Sequence, residues 1–431
     1  MTFFYNIGIF FYRLSIFIAS FFNEKAKKWI AGRRDVFEKI EEKFNNQRTA
    51  NNEQIIWFHC ASLGEFEQGR PLIEKLKTEN SKLKILVTFF SPSGYEIRKN
   101  YKGADYVFYL PMDSKANAEK FLEIINPSIA VFVKYEFWFH YLSELNKRRV
   151  PTFLISANFR EEQIFFKWYG SFFRQMLKFF THIFVQNENS KKLLEKINIQ
   201  NVSVSGDTRF DRVFSTMQAS EEIPLIEKFK NGKKLLIAGS TWEEDEKIIS
   251  NLKSQISPQN DGVRNFVRTN LKLIIAPHEV NEKNIQRIVG LFPNSIRYSH
   301  LTTTNNEQQI TNSCLIIDNV GMLSRLYRYG DIAYVGGAFG KSLHNILEPA
   351  AFGLPVLFGP NHQKFREAAE LIEKGGAFSI ANSKELNKKI KFLLHDEMIL
   401  KIASEMSRNF VRSNIGATQK IMEKIQKILF L

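Results

Sequence analysis

Short apolar runs separated by amphipathic stretches recur along most of this chain. Those at residues 55–59, 83–89, 104–110, 129–133, 152–156 and 182–185 read as strands. The segments between them, such as 91–100 and 114–125, read as helices, and a small-residue turn after Cys60 opens a helix running through Leu76. A second series begins near residue 233 and continues through 271–276, 314–318, 331–335 and 356–358. Such alternation predicts mainly parallel sheets covered by helices. The break between residues 211 and 232 predicts two α/β domains of Rossmann-like type facing each other over a cleft. Beyond Asp396 the pattern is purely helical to Leu431, while the polar stretches 257–270 and 301–311 read as exposed insertions.

The beginning of the chain follows another rule. Residues 3–22 are almost continuously apolar and are followed by Lys25, Lys27, Lys28, Arg33 and Arg34. The length suits a membrane span whose basic flank holds the next domain in the cytoplasm. Asn6, Arg13 and Ser20, however, recur at intervals of seven and draw a narrow polar line along a helix. That line favours a helix lying in the membrane interface, or docked on a partner. Because the basic residues follow the apolar region, a cleaved signal peptide is disfavoured. Residues 165–180, aromatic and basic together, form a second candidate surface for lipid.

Composition narrows the class. With 431 residues, 44% hydrophobic and 24% charged, the chain is globular and long enough for two cores. Its formal net charge of +15 calls for a polyanionic context: anionic lipid, a phosphorylated substrate or nucleic acid. The basic residues are dispersed and no nucleic-acid fingerprint is visible, so nucleic acid ranks last. Cys60 and Cys314 lie in or beside apolar runs and read as reduced packing residues, and no metal-ligand spacing appears.

The residues able to carry chemistry fall where strands hand over to helices. Glu65, after Ala61-Ser62-Leu63-Gly64, suits a general base on a hydroxyl, although an acid there also caps a helix. Glu136, in Lys134-Tyr135-Glu136-Phe137-Trp138, is a second acid at a strand end, and Arg209 a fixed cation suited to carboxylate or phosphate. Ser240 and Thr241 occupy a small-residue turn able to hold phosphate through backbone N–H groups, and His278 follows Pro277 at the next strand end. The segment from Gly336-Gly337 through His344, Asn345, Ile346, Leu347 and Glu348 reads as strand, glycine turn and a helix beginning near His344. Glu348 would then lie within reach of a ribose hydroxyl pair.

Taken together, these motifs resemble the bacterial transferases of 3-deoxy-D-manno-oct-2-ulosonic acid (Kdo). The match is carried by Ala61 to Glu65, Glu136-Phe137-Trp138, Gly206 to Phe210, Ala238 to Thr241, and above all His344 to Gly353 with Val356 to Pro360. The resemblance implies a GT-B glycosyltransferase on the cytoplasmic face of the inner membrane, with its first helix membrane-associated. It implies CMP-Kdo as donor, the lipid A precursor as acceptor, an anionic membrane surface as partner, and no cofactor. By the same resemblance Glu65 would be the base, with Glu136 and Arg209 steadying the transition state. Ser240, Thr241, Pro277, His278, Gly321, Met322, Leu323 and His344 through Glu348 would hold the donor. The implied division is an anchor helix and basic flank at 1–34, an acceptor domain at 35–211, a donor domain at 212–405 and a helix at 406–431. The chain departs from the family pattern at His278, where arginine is usual, at Arg209 for lysine, at Ser342-Leu343 for a glycine pair, and at Met322 for glutamate. Two alternatives remain at this point: another GT-B enzyme using a different nucleotide sugar, such as a UDP-sugar, and a non-catalytic scaffold binding anionic lipid.

Overall fold

The computed structural model describes residues 1–45, 54–252, 271–303, 313–340 and 342–429. The chain forms two compact units, one of Met1–Arg212 with Ile415–Leu431 and one of Val213–Asn414. The polar stretch 257–270 and residues 304–311 of the second polar stretch lie outside the described residues, whereas Leu301 is buried.

The first unit holds seven parallel strands: β1 (Ile55–Cys60), β2 (Lys84–Phe89), β3 (Tyr106–Tyr109), β4 (Ile129–Val133), β5 (Thr152–Ala157), β6 (His182–Val185) and β7 (Val202–Val204), in the order β3-β2-β1-β4-β5-β6-β7. Side chains alternate between the faces, so Ile56, Phe58 and Cys60 enter one apolar layer while Trp57 enters the other. The second unit repeats the plan with β8 (Lys234–Thr241), β9 (Leu271–Pro277), β10 (Ser295–Arg297), β11 (Cys314–Ile316), β12 (Ile332–Val335), β13 (Val356–Phe358) and β14 (Ala377–Ser379), ordered β10-β11-β9-β8-β12-β13-β14. Every pairing is parallel, and central strands such as β4 and β9 are buried along their length.

In both sheets the strand order reverses beside the first strand in sequence. The switch falls between β1 and β4 in one sheet and between β8 and β12 in the other. Outside the carboxyl ends of the strands at such a point lies an open crevice. Non-glycine residues in the left-handed region stand there too: Lys134 (φ 70°) just past β4, Ser156 (φ 56°) near the end of β5 and Ser240 (φ 52°) in the last turn of β8. Strained backbone of this kind gathers where function dictates a chain path.

The first helix, α1 (Thr2–Ala19), is long and apolar enough to cross a membrane by length and composition alone. Phe3, Phe4, Phe10, Phe11 and Phe17 on it are exposed. Part of its polar line faces inward: Asn6 bonds His140 at 2.7 Å, and Tyr5 beside it donates to Asp113 at 2.5 Å and packs on Phe139 and Phe172. Arg13 lines a cavity of about 530 Å³ with Phe17, Trp29, Arg34 and Lys120. The next helix, α2 (Glu24–Arg33), is fixed by Arg33, which donates to Leu110 O and Phe90 O and lies 3.8 Å over the Trp29 ring. Burial pushes that guanidinium down to about 9.

Three readings are narrowed or corrected by the structure. Within residues 165–180, Phe165, Phe172 and Phe180 are buried, while Trp168 and Tyr169 are the large hydrophobic side chains left exposed, so the candidate lipid surface narrows to those two rings. Strands β7, β10 and β14 went unread; each is three residues long and lies at a sheet edge. The single helix at 406–431 is two, Glu397–Arg412 and Ala417–Leu429, broken where Gly416 takes a φ of 107°. The last helix buries Ile421, Met422 and Ile425 against the β1 face of the first unit, and Asp211 accepts from the N–H groups of Gly416 and Thr418 at its start.

Candidate active site

In the first unit the switch point between β1 and β4 brings together Glu65 and Glu136. Glu65 lies in the first turn of α3 (Leu63–Glu79), and its Oε2 accepts from the Ala61 N–H at 2.5 Å. This bond ties the first turn of the helix to the turn that follows β1. Burial, with the Glu136 charge second, pushes its carboxyl up to about 7, against the opposing pull of the Ala61 N–H, the Lys134 ammonium and the Ser62 N–H. A carboxyl poised near neutrality accepts and returns a proton without a large energetic gap.

Glu136 is itself largely buried. Its Oε2 lies 3.0 Å from His59 Nε2 and accepts from Trp138 Nε1 at 2.8 Å. Sequence reading did not single out His59, Lys134 or Trp138 as site residues. His59 looks like the last residue of an apolar strand, and only the β1–β4 pairing sets it beside Glu136. Arg209 forms an ion pair with Asp207 at 2.7 Å and is partly exposed, so its guanidinium is oriented by its own turn.

In the second unit the switch point between β8 and β12 presents small residues and rings. Gly337 takes φ 94°, and a Cβ there would strike Ser342 O and the His344 ring. Buried Asp245 accepts from the N–H groups of Trp242 and Gly337 and from the Tyr334 hydroxyl, tying the turn after β8 to the turn after β12. Above it Trp242, His278 and His344 stack, with ring centroids 4.6 Å apart for Trp242 and His278 and 4.4 Å for the two histidines. Trp242 Nε1 donates to His344 Nε2 at 2.9 Å, and burial with the nearby His278 pushes His344 down to about 4, leaving a neutral ring as the acceptor. Trp242 and Asp245 were not singled out from the sequence.

The helix expected near His344 begins at Leu347 and spans Leu347–Ala351. Asn345 caps it: its Oδ1 accepts from the Leu347 N–H at 3.0 Å and its Nδ2 donates to Glu348 at 3.1 Å. Ile346 and Leu347 are buried in the unit's interior, as are Pro277 and Met322, so ligand contact there is limited to backbone groups. Thr241 is also buried and its hydroxyl donates to Glu246, while Ser240 is only partly enclosed. Gly321 is exposed at φ 93°, with Leu323 partly buried after it. A Cβ on Gly239 would strike the Tyr327 hydroxyl and Leu323. Tyr327 also feels the Glu348 charge, so Gly239, Leu323, Tyr327 and Glu348 share one neighbourhood.

Comparison with known proteins points to one family. The family model of 3-deoxy-D-manno-octulosonic-acid transferases (kdotransferases) matches residues 38–212, which include Glu65, Glu136 and Arg209. Over its amino-terminal domain this chain is similar to the Kdo transferases. The Kdo transferase of Aquifex aeolicus is 28% identical over 376 residues, spanning 86% of this chain and 95% of the relative. That of Rickettsia bellii is 26% identical over 415 residues, 93% of each.

Solved structures speak to the fold. A UDP-GlcNAc 2-epimerase from Neisseria meningitidis superposes with a TM-score of 0.59 at 15% identity, covering 87% of this chain and all of its own (100%). A glycosyltransferase from Rickettsia africae gives 0.55 at 16%, covering 88% and 99%. Epimerase and transferase thus share one two-domain α/β architecture, and the chemistry has to be argued from the site.

Proposed function

We propose that this enzyme moves Kdo from CMP-Kdo to the phosphorylated, acylated disaccharide precursor of lipid A. The observation that carries the reading is Glu65: a carboxyl held near neutrality beside a second acid, at the switch point of a sheet inside the family-matched region. Glu65 takes the proton of the acceptor hydroxyl as that oxygen attacks the anomeric carbon of Kdo. The bond from that carbon to the CMP phosphate oxygen breaks, and CMP leaves as an anion. The transition state carries positive charge on the sugar, which Glu136 offsets, and growing negative charge on the phosphate, which suits Arg209.

Donor binding is assigned to the second unit. The Trp242, His278 and His344 stack offers flat faces to a pyrimidine, the glycine turn at Gly337 lets backbone approach the phosphate, and Glu348 suits the ribose hydroxyls. Ser240, Pro277, Gly321 and Ile346 supply backbone groups around them. The membrane assignment, the cytoplasmic face of the inner membrane, is supported by the exposed phenylalanines of α1 and by the basic residues that follow it.

Purified protein incubated with CMP-Kdo, generated in situ, and the lipid A precursor gains product heavier by one or more Kdo units in a mass spectrum. Absence of any such product with the wild type would reject the reading. Deleting residues 1–22 tests the anchor separately: binding to anionic vesicles falls if α1 is the main contact, and stays level if it is not.

A further inference from the structure

The first unit holds a chain of hydrogen bonds not used in the reaction above. Trp57 Nε1 donates to Thr88 Oγ1 at 2.8 Å, Thr88 Oγ1 lies 2.9 Å from His59 Nδ1, and His59 Nε2 lies 3.0 Å from Glu136 Oε2. Trp57, His59 and Thr88 are completely buried, so the protons of this chain are shared among these atoms. Threonine has one proton. Its oxygen already accepts from Trp57, and the competing acceptor, Phe58 O, is farther away at 3.4 Å. Given to Nδ1, the Thr88 proton leaves the imidazole to carry its own on Nε2, aimed at Glu136.

The opposite tautomer fits these distances poorly. Trp138 Nε1 lies 3.1 Å from His59 Nε2 and 2.8 Å from Glu136 Oε2. With Nε2 bare, that single indole proton would serve two acceptors held 3.0 Å apart out of water, a repulsive contact. With Nε2 protonated, each proton of the chain has an acceptor within 3.0 Å.

We infer that His59 is a positioning residue: it donates Nε2–H to Glu136, pins Oε2 between two N–H groups, and so fixes the second carboxylate beside Glu65. The kinetic part of this inference rests on the Kdo-transfer reading; the proton placement stands apart from it. Several groups surround the two acids. Lys134 and Tyr135 come from the turn after β4, Cys60 from the end of β1, and Tyr12 from α1. Of these, Lys134 opposes the Glu136 effect on Glu65.

His59→Phe removes the donor, and His59→Gln restores an N–H of similar reach. The phenylalanine variant loses about 100-fold in kcat, the scale of a misplaced reacting group. Its acidic limb in kcat/KM moves to lower pH, because Glu136 no longer stands fixed beside Glu65. The glutamine variant keeps the limb and recovers most of the rate. A slower phenylalanine variant with an unmoved limb would reduce His59 to a structural residue and overturn the inference. Nitrogen-15 shifts of the imidazoles in the full chain at about pH 7.5, assigned by the signal lost in His59→Gln, read the proton directly. A protonated Nε2 supports the assignment and a bare Nε2 overturns it. If the wild type makes no Kdo product, the functional reading falls and these shifts alone decide the role of His59.

Discussion

The two sheets share a strand plan around the switch point and differ in what they set there. At the β1/β4 end stand acids, Glu65 and Glu136, with His59 and Trp57 buried behind them and Trp138 half-buried beside them. At the β8/β12 end stand glycines, one buried aspartate that joins two turns, and a stack of three rings. The first arrangement raises the basicity of a carboxyl; the second offers flat faces and bare backbone. On the proposed function, one fold would serve proton transfer in one unit and nucleotide binding in the other, with the strand-end residues, not the sheets, carrying the chemistry.

Substitutions at the two ends should separate cleanly if that contrast holds. Glu65→Gln should lower kcat by about 1000-fold, within the range for loss of a general base, and leave the donor KM nearly unchanged. A KM defect as large as the kcat defect in steady-state assays would blur the division. Glu348→Ala should do the reverse, raising the donor KM about tenfold to 100-fold through loss of a charged hydrogen bond, with kcat little altered. Trp242→Leu removes one of the three rings and should raise the donor KM about fivefold, on the scale of one aromatic contact. An unchanged KM would mean that the donor does not lie on those rings.

The smallest effect concerns pH. As the proposed base Glu65 would act in its ionised form, so kcat/KM should rise with pH through about 7 with a one-proton slope. Stability runs the other way. Because folding raises this carboxyl, its protonated form favours the fold; that contribution is complete below about 4.5 and is lost as pH rises through about 7. Glu65→Gln removes this dependence. Its melting-temperature advantage over the wild type should therefore grow between about pH 5 and pH 8, by on the order of a few degrees. Equal profiles for the two proteins would show that Glu65 titrates as an ordinary carboxyl.

Much of the architecture was legible because the central strands are apolar over their whole length, as in β4 and β9, and are punctuated by turn residues. β7, β10 and β14 were not, since three residues at a sheet edge set no period. Glu65 and Glu136 could be read as acids at strand ends. Their coupling could not, because it depends on β1 and β4 lying side by side, and the 77 residues separating His59 from Glu136 hide that contact. In the second unit the motif at Asn345 and Glu348 was visible, but the helix start was misplaced: Asn345 caps Leu347 through its side chain, and the residues before it follow the glycine turn. Trp242 escaped notice because an aromatic before an acidic run looks like any helix entry; its meaning depends on two histidines far along the chain.

The return of the last helix gives the chain an unusual logic of inheritance. Because residues 415–431 complete the first unit, the second is in effect a cassette inserted into a split domain. A stop codon after residue 414 would leave the cassette whole and strip Ile421, Met422 and Ile425 from the face that Phe58 and Val131 help to form. Three buried aliphatic side chains correspond to roughly 5 kcal/mol, comparable with the entire stability of an ordinary domain. Damage to residues 415–431 would thus be felt in the unit that holds Glu65, more than 300 residues away in the chain.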